Sequence, residues 1–352
     1  MILKTMPAEP LHPALRLAVD TGALAANWRA LDRLSGAAAA GAAVKANAYG
    51  LGVARCAPVL WEAGCRDFFV AHMAEAAELA ALVDPARISV LHGPHDGGDA
   101  ALARELGVRP VINSLRQARL WAEAGGGRCD VMFDSGINRL GLTLGELGDP
   151  MVAGLDVDVL LSHLASAEED TPLNARQCAR WEEARRSLPH RRASLANSAG
   201  ITLGAAFHGD LTRPGLALYG GVPCAALAGT ITQVVRPEAV VMQVREVAAG
   251  EGIGYNHTFT APAPMRVGVV SLGYADGVLR CWSGKGVMLA GEQRLAMLGR
   301  VSMDMSVVDL THAPQVGEGD WLALDYALPE AAETSGLSQY ELLTLLGRRF
   351  AR

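Results

Sequence analysis

Val44-Lys45-Ala46-Asn47-Ala48-Tyr49-Gly50-Leu51-Gly52 sets the reading of both the fold and the chemistry of this chain. It ends an apolar run that begins at Ala42 and passes into a glycine-punctuated turn. Its one lysine has small, apolar neighbours. Burial there would lower the amine's pKa and make it a nucleophile or a Schiff-base former. The alternative is a side chain that snorkels from a strand end to solvent. The Gly/Ala patch at 35–43 is the turn that leads into this strand.

Working outward, the same pattern of a short apolar run followed by a helix-period segment repeats. Apolar runs fall at 43–46, 68–71, 88–91, 110–112, 131–133, 157–162, 193–196 and 211–213. Helical patterns lie between them at 53–62, 74–82, 98–106, 115–124, 144–152, 172–187 and 199–205, and another at 22–34 precedes the first run. Repeated βα units mean an α/β architecture. Eight strands in about 170 residues fit a (β/α)8 TIM-type barrel better than an open doubly wound sheet. The barrel is expected over 1–229.

Past Tyr219-Gly220-Gly221 the character changes. Runs at 240–247, 266–270, 287–289 and 306–310 are separated by Gly and Pro turns, with no helical pattern up to 325. A mainly β C-terminal domain is expected over 230–352. One closing helix is expected at 338–350, with Ser338 as N-cap and Glu341 three residues on.

Bulk composition removes several classes of function. Half of the 352 residues are hydrophobic, enough for two domains. The net charge of −6 offers no basic footprint for nucleic acid. No apolar stretch reaches the length of a membrane span. Met1 to Pro10 lacks the apolar core of a signal peptide, and Cys56, Cys65, Cys129, Cys178, Cys224 and Cys281 are scattered, with no C-x-x-C pair. A cytoplasmic protein with reduced, packing thiols is expected.

In a (β/α)8 barrel the active site lies at the C-terminal ends of the strands. Lys45, Asp134 with Arg139 in its loop, His163, Asn197-Ser198 and Arg213-Pro214-Gly215 all fall on that rim. The loops after strands seven and eight often hold phosphate. Ser198 is either an anion ligand at a helix N-terminus or an ordinary N-cap. Gly215 either permits close backbone approach or marks a plain turn. A reactive lysine with a phosphate cradle suggests pyridoxal phosphate, whose ring nitrogen needs a partner. Arg213 is the candidate. An arginine stays protonated and can only donate. The ring is then a poorer electron sink, which favours return of the proton to Cα over transamination.

Other residues are given no role. His72, His92 and His95 sit near strand ends without metal-ligand spacing, so no metal is expected. His12, His190, His208, His257 and His312 are expected on the surface or in loops. Trp28, Trp61, Trp121 and Trp181 are expected in the core or an interface.

The opening stretch resembles the lysine signature of the alanine racemases, the fold-type III pyridoxal-phosphate enzymes. The resemblance continues at Gly136-Ile137-Asn138-Arg139-Leu140-Gly141, Ser162-His163-Leu164-Ala165-Ser166-Ala167-Glu168, Ala196-Asn197-Ser198-Ala199 and Arg213-Pro214-Gly215-Leu216-Ala217-Leu218-Tyr219-Gly220. It reaches the β region at Gly273-Tyr274-Ala275-Asp276-Gly277 and Gly299-Arg300-Val301-Ser302-Met303-Asp304. By itself Gly-Tyr-Ala-Asp-Gly reads as a β-turn with a packed tyrosine.

The resemblance implies interconversion of L- and D-alanine. Lys45 would carry the cofactor and act on one face of Cα. Tyr274 of the partner subunit would act on the other, in a homodimer with shared sites. Tyr49, Ser198, Gly215 and Leu216 would hold the phosphate. His163, Asn197 and Arg213 would line the cofactor, with His163 and Arg213 in a network reaching toward Tyr274. Arg139 would help orient the substrate carboxylate or the cofactor's phenolic oxygen, and the Met303 N–H would meet the substrate carboxylate from across the dimer.

The chain departs from the family pattern in three places. Met132 stands where many members have a carbamylated lysine paired with the arginine. Ser194 stands where members often have histidine. Arg349-Phe350-Ala351-Arg352 closes the chain where an aromatic residue commonly follows an Arg-x-x-Arg run. A broad-specificity racemase, a fold-type III basic-amino-acid decarboxylase (against which Arg213 at the ring nitrogen speaks) and a non-catalytic pyridoxal-phosphate-binding regulator are the rivals. Regulators of that kind usually consist of the barrel alone.

Overall fold

The computed structural model describes residues 13–347 and 349–350. His12 and the last two residues of the chain, Ala351 and Arg352, lie outside the described residues, as does Arg348 within the expected closing helix. The chain divides into two compact units. One is Asp20–Val234; the other combines the segment ending at Val19 with Val235 onward.

The first described strand, β1 (Leu15–Val19), precedes α1 (Thr21–Leu34), β2 (Ala39–Ala40), β3 (Ala42–Ala43) and a single turn, α2 (Lys45–Tyr49). Then come α3 (Val53–Ala63), β4 (Phe68–Val70), α4 (Met73–Leu79), β5 (Ile88–Val90), α5 (Gly97–Leu106), β6 (Arg109–Ile112) and α6 (Leu115–Glu123). β7 (Arg128–Met132), α7 (Leu144–Leu147), α8 (Pro150–Ala153), β8 (Asp156–Leu161), α9 (Pro172–Ser187), β9 (Arg192–Ser194) and β10 (Leu211–Thr212) complete the unit.

β3 to β9 form one parallel seven-stranded sheet in chain order. β10 closes the ring. It lies parallel to β2, with Leu211 opposite Ala39 and Thr212 opposite Ala40. Pro214 O accepts the Ala43 N–H at 2.9 Å. On the other side, the Asp210 and Arg213 N–H groups donate to Ala193 and Ala196, each at 2.8 Å. Strand one is β2 and β3, interrupted at Gly41, and the expected barrel is borne out.

Three local differences have simple causes. The helix expected at 144–152 splits because Pro150 starts a new one, capped by Asp149. The helix expected at 199–205 is two 3-10 turns, broken at Gly204, whose φ is 100°. His208, expected on the surface or in a loop, lies in a turn but is buried and bridges the carbonyls of Ser35 and Ile201.

The second unit is mainly β, as expected. Its strands are β11 (Val235–Val247), β12 (Gly252–Ile253), β13 (Phe259–Thr260), β14 (Met265–Val270), β15 (Val287–Ala290), β16 (Gln293–Leu298), β17 (Ser306–Asp309) and β18 (Trp321–Leu324). The main sheet runs β1-β11-β14-β17-β16-β15-β18, and β18 also pairs with β11, so the antiparallel sheet returns on itself. β1 pairs antiparallel with β11, Leu15 opposite Ala239. The patterning had drawn the division at 229/230 and left this strand with the barrel. Two helices close the chain instead of one, α10 (Leu328–Ser335) and α11 (Gln339–Leu345), the latter with the expected Ser338–Glu341 capping box.

The barrel carries a buried ionic cluster near the starts of its strands. Arg109 donates to Asp158 at 2.8 Å, Asp67 at 3.0 Å and Ser89 at 3.2 Å. Arg192 donates to both Asp67 oxygens and to Asp158. Asp130 accepts from Ser89 and from the Val159 N–H. Three carboxylates face two guanidinia. Burial pushes the Asp130 carboxyl upward despite the nearby Arg109, so it is the member that tends to keep its proton. Breaking such a cluster leaves buried charge uncompensated. Arg109→Met should therefore lower unfolding stability by about 3–5 kcal/mol. Urea denaturation measures it, and a loss within error would mean that the cluster contributes nothing.

Candidate active site

Lys45 was expected to end strand one. The last bond of that strand is instead Val44 N–H to Phe69 O at 2.9 Å, and Lys45 opens α2. The turn is left-handed, with φ of 53° at Ala46, 54° at Asn47, 53° at Ala48 and 54° at Tyr49. Each such non-glycine residue costs roughly 1–2 kcal/mol. Surrounding bonds must hold the turn in place. Ala48 N–H reaches Val44 O at 2.8 Å and Gly50 N–H reaches Ala46 O at 2.9 Å. The Asn47 side chain accepts the Val53 N–H at 2.7 Å. Glu75 takes the Ala46 N–H with one oxygen at 2.6 Å, and those of Ala71 and His72 with the other at 2.7 and 3.1 Å. The Tyr49 ring is buried and stacks on Tyr219 at 4.8 Å between centroids. The Tyr219 hydroxyl in turn donates to Ala43 O at 2.9 Å.

The rim groups act on one another electrically. Burial pushes the Lys45 amine down, as do Arg139 and Arg213, while Glu75 opposes them. His163, just past β8, is pushed down to about 3 by burial and then by Arg213, Arg139 and Lys45, so its imidazole is neutral. Burial lowers the Arg213 guanidinium to about 10, still a cation near neutral pH. Arg213 donates to Ser194 Oγ, to Ser162 O and, at 3.5 Å, to Leu195 O. Its link toward His163 runs through the neighbouring Ser162 backbone.

The loop that carries Arg139 is gathered by Asp134, whose Oδ1 accepts the N–H groups of Gly136, Ile137 and Asn138 at 2.8, 2.9 and 3.2 Å. Arg139 itself is exposed, and no acid pairs with it among the described residues. Met132 is buried, and Gly141 is packed so closely that an added Cβ would lie 3.1 Å from the Met132 side chain.

Ser198 and Asn197 divide the work differently from the N-cap reading. Asn197 Oδ1 accepts the Gly200 N–H at 2.8 Å and closes the turn that leads into the 3-10 segment. Ser198 Oγ turns to the loop after β10 and accepts the Gly215 and Ala217 N–H groups at 3.0 and 3.2 Å. Between them the Leu216 N–H has no partner among the described residues, although the residue is buried. A Cβ on Gly215 would lie 2.3 Å from the Tyr49 hydroxyl. Two hydroxyls and a free N–H thus gather where only glycine fits, a cradle suited to an anion.

Tyr274 and Met303 lie in the other unit and near each other. Tyr274 N–H donates to Ser302 O at 3.0 Å and Ala275 N–H to Met303 O at 2.9 Å. Tyr274 is half-buried, with the Arg280 guanidinium 5.4 Å from its ring centre; Met303 is exposed. Buried Asp276 accepts from Gly273 N–H at 2.9 Å and from Arg349 at 2.8 Å, and Arg349 also reaches Asp304 at 2.6 Å.

Three supporting residues were missed. Glu75, three residues after His72, had the capping-box spacing as its signal. Arg349 was read only as part of the chain end. Nothing in the sequence marks Gln177, whose amide joins Ser135 Oγ, His163 O and Ala165 N–H at 3.0, 3.0 and 2.8 Å.

A βα barrel with a lysine and an anion cradle on one rim, followed by a mainly β domain, is the two-domain architecture of the fold-type III pyridoxal-phosphate class. The family model for the alanine racemase N-terminal domain matches residues 19–223, and that for the alanine racemase C-terminal domain matches 234–352. The chain belongs to the alanine racemase family. An alanine racemase of Methylobacterium nodulans is 44% identical, covering 99% of this chain and 97% of its own. Alanine racemase from Bartonella henselae, solved with covalently bound pyridoxal phosphate, superposes with a TM-score of 0.89 at 34% identity over 98% of this chain and 99% of that one. The biosynthetic alanine racemase of Pseudomonas aeruginosa gives 0.85 at 34% identity over 97% and 99%.

Gly215→Ala must displace the Tyr49 hydroxyl. It should weaken binding of pyridoxal phosphate to the purified chain by about tenfold or more, a loss of about 1.4 kcal/mol. Titration followed by absorbance measures this, and unchanged affinity would separate the cradle from the phosphate.

Proposed function

We propose that this chain is a pyridoxal 5'-phosphate-dependent isomerase that interconverts L-alanine and D-alanine, with the cofactor held at Lys45. One observation carries the reading: an amine held below its ordinary pKa by burial and two arginines, on the rim that also bears a hydroxyl and N–H cradle. Such an amine is unprotonated more often than an ordinary lysine and can react with an aldehyde. Family membership over both domains supports the same activity.

The residues suit the cofactor. The hydroxyls of Tyr49 and Ser198, with the N–H groups of Gly215 and Leu216, would hold its phosphate. His163 and Asn197 would line the ring. Arg213 has both terminal nitrogens engaged, so Nε remains to donate to the ring nitrogen. A guanidinium cannot surrender its proton at neutral pH, so the ring nitrogen receives a hydrogen bond and no charge.

When bound, the cofactor acidifies the α-hydrogen of the amino acid. The chain's own groups then handle the proton. Lys45 Nζ takes or returns it on one face of Cα. The phenolic oxygen of the partner subunit's Tyr274 does so on the other. Two groups on opposite faces invert the carbon, whereas one would return the proton to the face it left. Arg139 and the Met303 N–H orient the carboxylate.

The assembly is read as a homodimer in which the β domain beyond about residue 230 completes the partner's site, the simplest closed pairing. Six free cysteines, three of them fully buried, suit a reducing cytoplasm. No helix among the described residues is long and apolar enough to cross a membrane.

The decisive experiment is loss of the α-proton of L-alanine in D₂O, followed by NMR with the chain and pyridoxal phosphate. Exchange with formation of the D-isomer is expected; no exchange ends the racemase reading. Lys45→Ala should abolish the visible absorption of the cofactor-bound protein, and an unchanged spectrum would remove Lys45 from its role. Tyr274→Phe should slow exchange from one enantiomer more than from the other. Equal slowing would contradict the assignment of two faces.

A further inference from the structure

Both oxygens of the Glu75 carboxylate are engaged, and their three partners are all backbone amides. A capping box at the start of α4 needs only the His72 N–H. Glu75 goes further. One oxygen reaches into the neighbouring βα unit and takes the N–H of Ala46, the residue directly after Lys45. The other takes the first two N–H groups beyond β4. The Ala46 bond lands where the left-handed run begins. Ionised acceptors bind N–H groups about twice as strongly as neutral ones. Without this acceptor the turn loses the one side-chain bond tying its first residue to the barrel.

The charges facing Lys45 point the same way. They come from Arg139 in the loop after β7, from Arg213 after β10 and from Glu75 on α4. His163 after β8 and His92 after β5 also feel the lysine. Among these groups Glu75 is the sole acid.

We propose that Glu75 is a positioning residue for the amine of Lys45: its carboxylate locks the left-handed turn that aims the lysine and supplies the negative charge opposing the two arginines. The inference rests on reading Lys45 as the cofactor-bearing amine.

The sequence makes the test clean, because the chain has only three lysines: Lys4, Lys45 and Lys285. In a Lys4→Arg, Lys285→Arg background, Lys45 is the one side-chain amine. Its pH midpoint is read in the cofactor-free full chain from the rate of trinitrobenzenesulfonate labelling of the Lys45 peptide. Glu75→Gln keeps the size and removes the charge, so the midpoint should fall by about one unit. Glu75→Asp keeps the charge and shortens the reach, so the midpoint should stay close to that of the parent. With pyridoxal phosphate bound, both variants should lower kcat for alanine by about tenfold with KM nearly unchanged. A merely structural role would lower the melting temperature and leave the midpoint in place.

An unmoved midpoint in Glu75→Gln would overturn the inference whatever its kcat, while leaving the racemase reading intact. If the parent neither binds the cofactor nor exchanges the α-proton, yet the midpoint still falls in Glu75→Gln, the racemase reading fails and the hold of Glu75 on Lys45 stands.

Discussion

Closure of the barrel by its shortest strand is the constraint on which the site depends. β10 contributes two residues to the ladder, but its flanking bonds from Asp210 to Pro214 tie strands one and seven together. Lys45 leaves strand one and Gly215 leaves strand eight, so this seam puts the lysine turn beside the anion cradle. Tyr49 stands at the junction: its hydroxyl approaches Gly215 and its ring lies on Tyr219, which is bonded to Ala43. Parallel strands far apart in the chain come together here only because the ring shuts.

Charge is arranged unevenly within the barrel. Near the strand starts, carboxylates and guanidinia pair in a largely buried cluster. On the opposite rim, cations outnumber acids, and burial drives Lys45 and His163 toward their neutral forms. A rim that keeps an arginine charged beside a neutral imidazole suits an anionic ligand without requiring a metal ion. Arg213 rests on serine and carbonyl oxygens instead of a carboxylate, so its charge remains uncancelled by a direct partner.

Much of this was legible in the sequence. The rim residues could be aligned because each follows a short apolar run, and runs mark strand ends. The Ser198 and Gly215 loops were visible as small polar and glycine positions after strands seven and eight. Other features left weaker traces. Nothing in Ala46-Asn47-Ala48-Tyr49 demands a left-handed turn: only asparagine favours that region, and alanine resists it. Tertiary bonds from Glu75 and Val53 impose it. Glu75 lies inside the helical pattern at 74–82 and was given no role of its own. Strand β1 was hidden because five residues carry little periodicity, and its partner lies at the far side of the barrel sequence. Helix α10 opens at Leu328, with Pro329 second, and has no side-chain cap to announce it.

The pairing of β1 with β11 has a consequence for how the molecule is made. A chain growing from its N-terminus releases Leu15–Val19 long before Val235–Val247 exists. Every strand of the barrel has emerged by then, and the barrel needs nothing from either β1 or β11 to close its own ring. During that interval β1 is an open edge of five residues, exposed to whatever strand it meets. A strand made ahead of the whole barrel therefore waits through the barrel's synthesis for its partner, and a delay in synthesis prolongs its exposure.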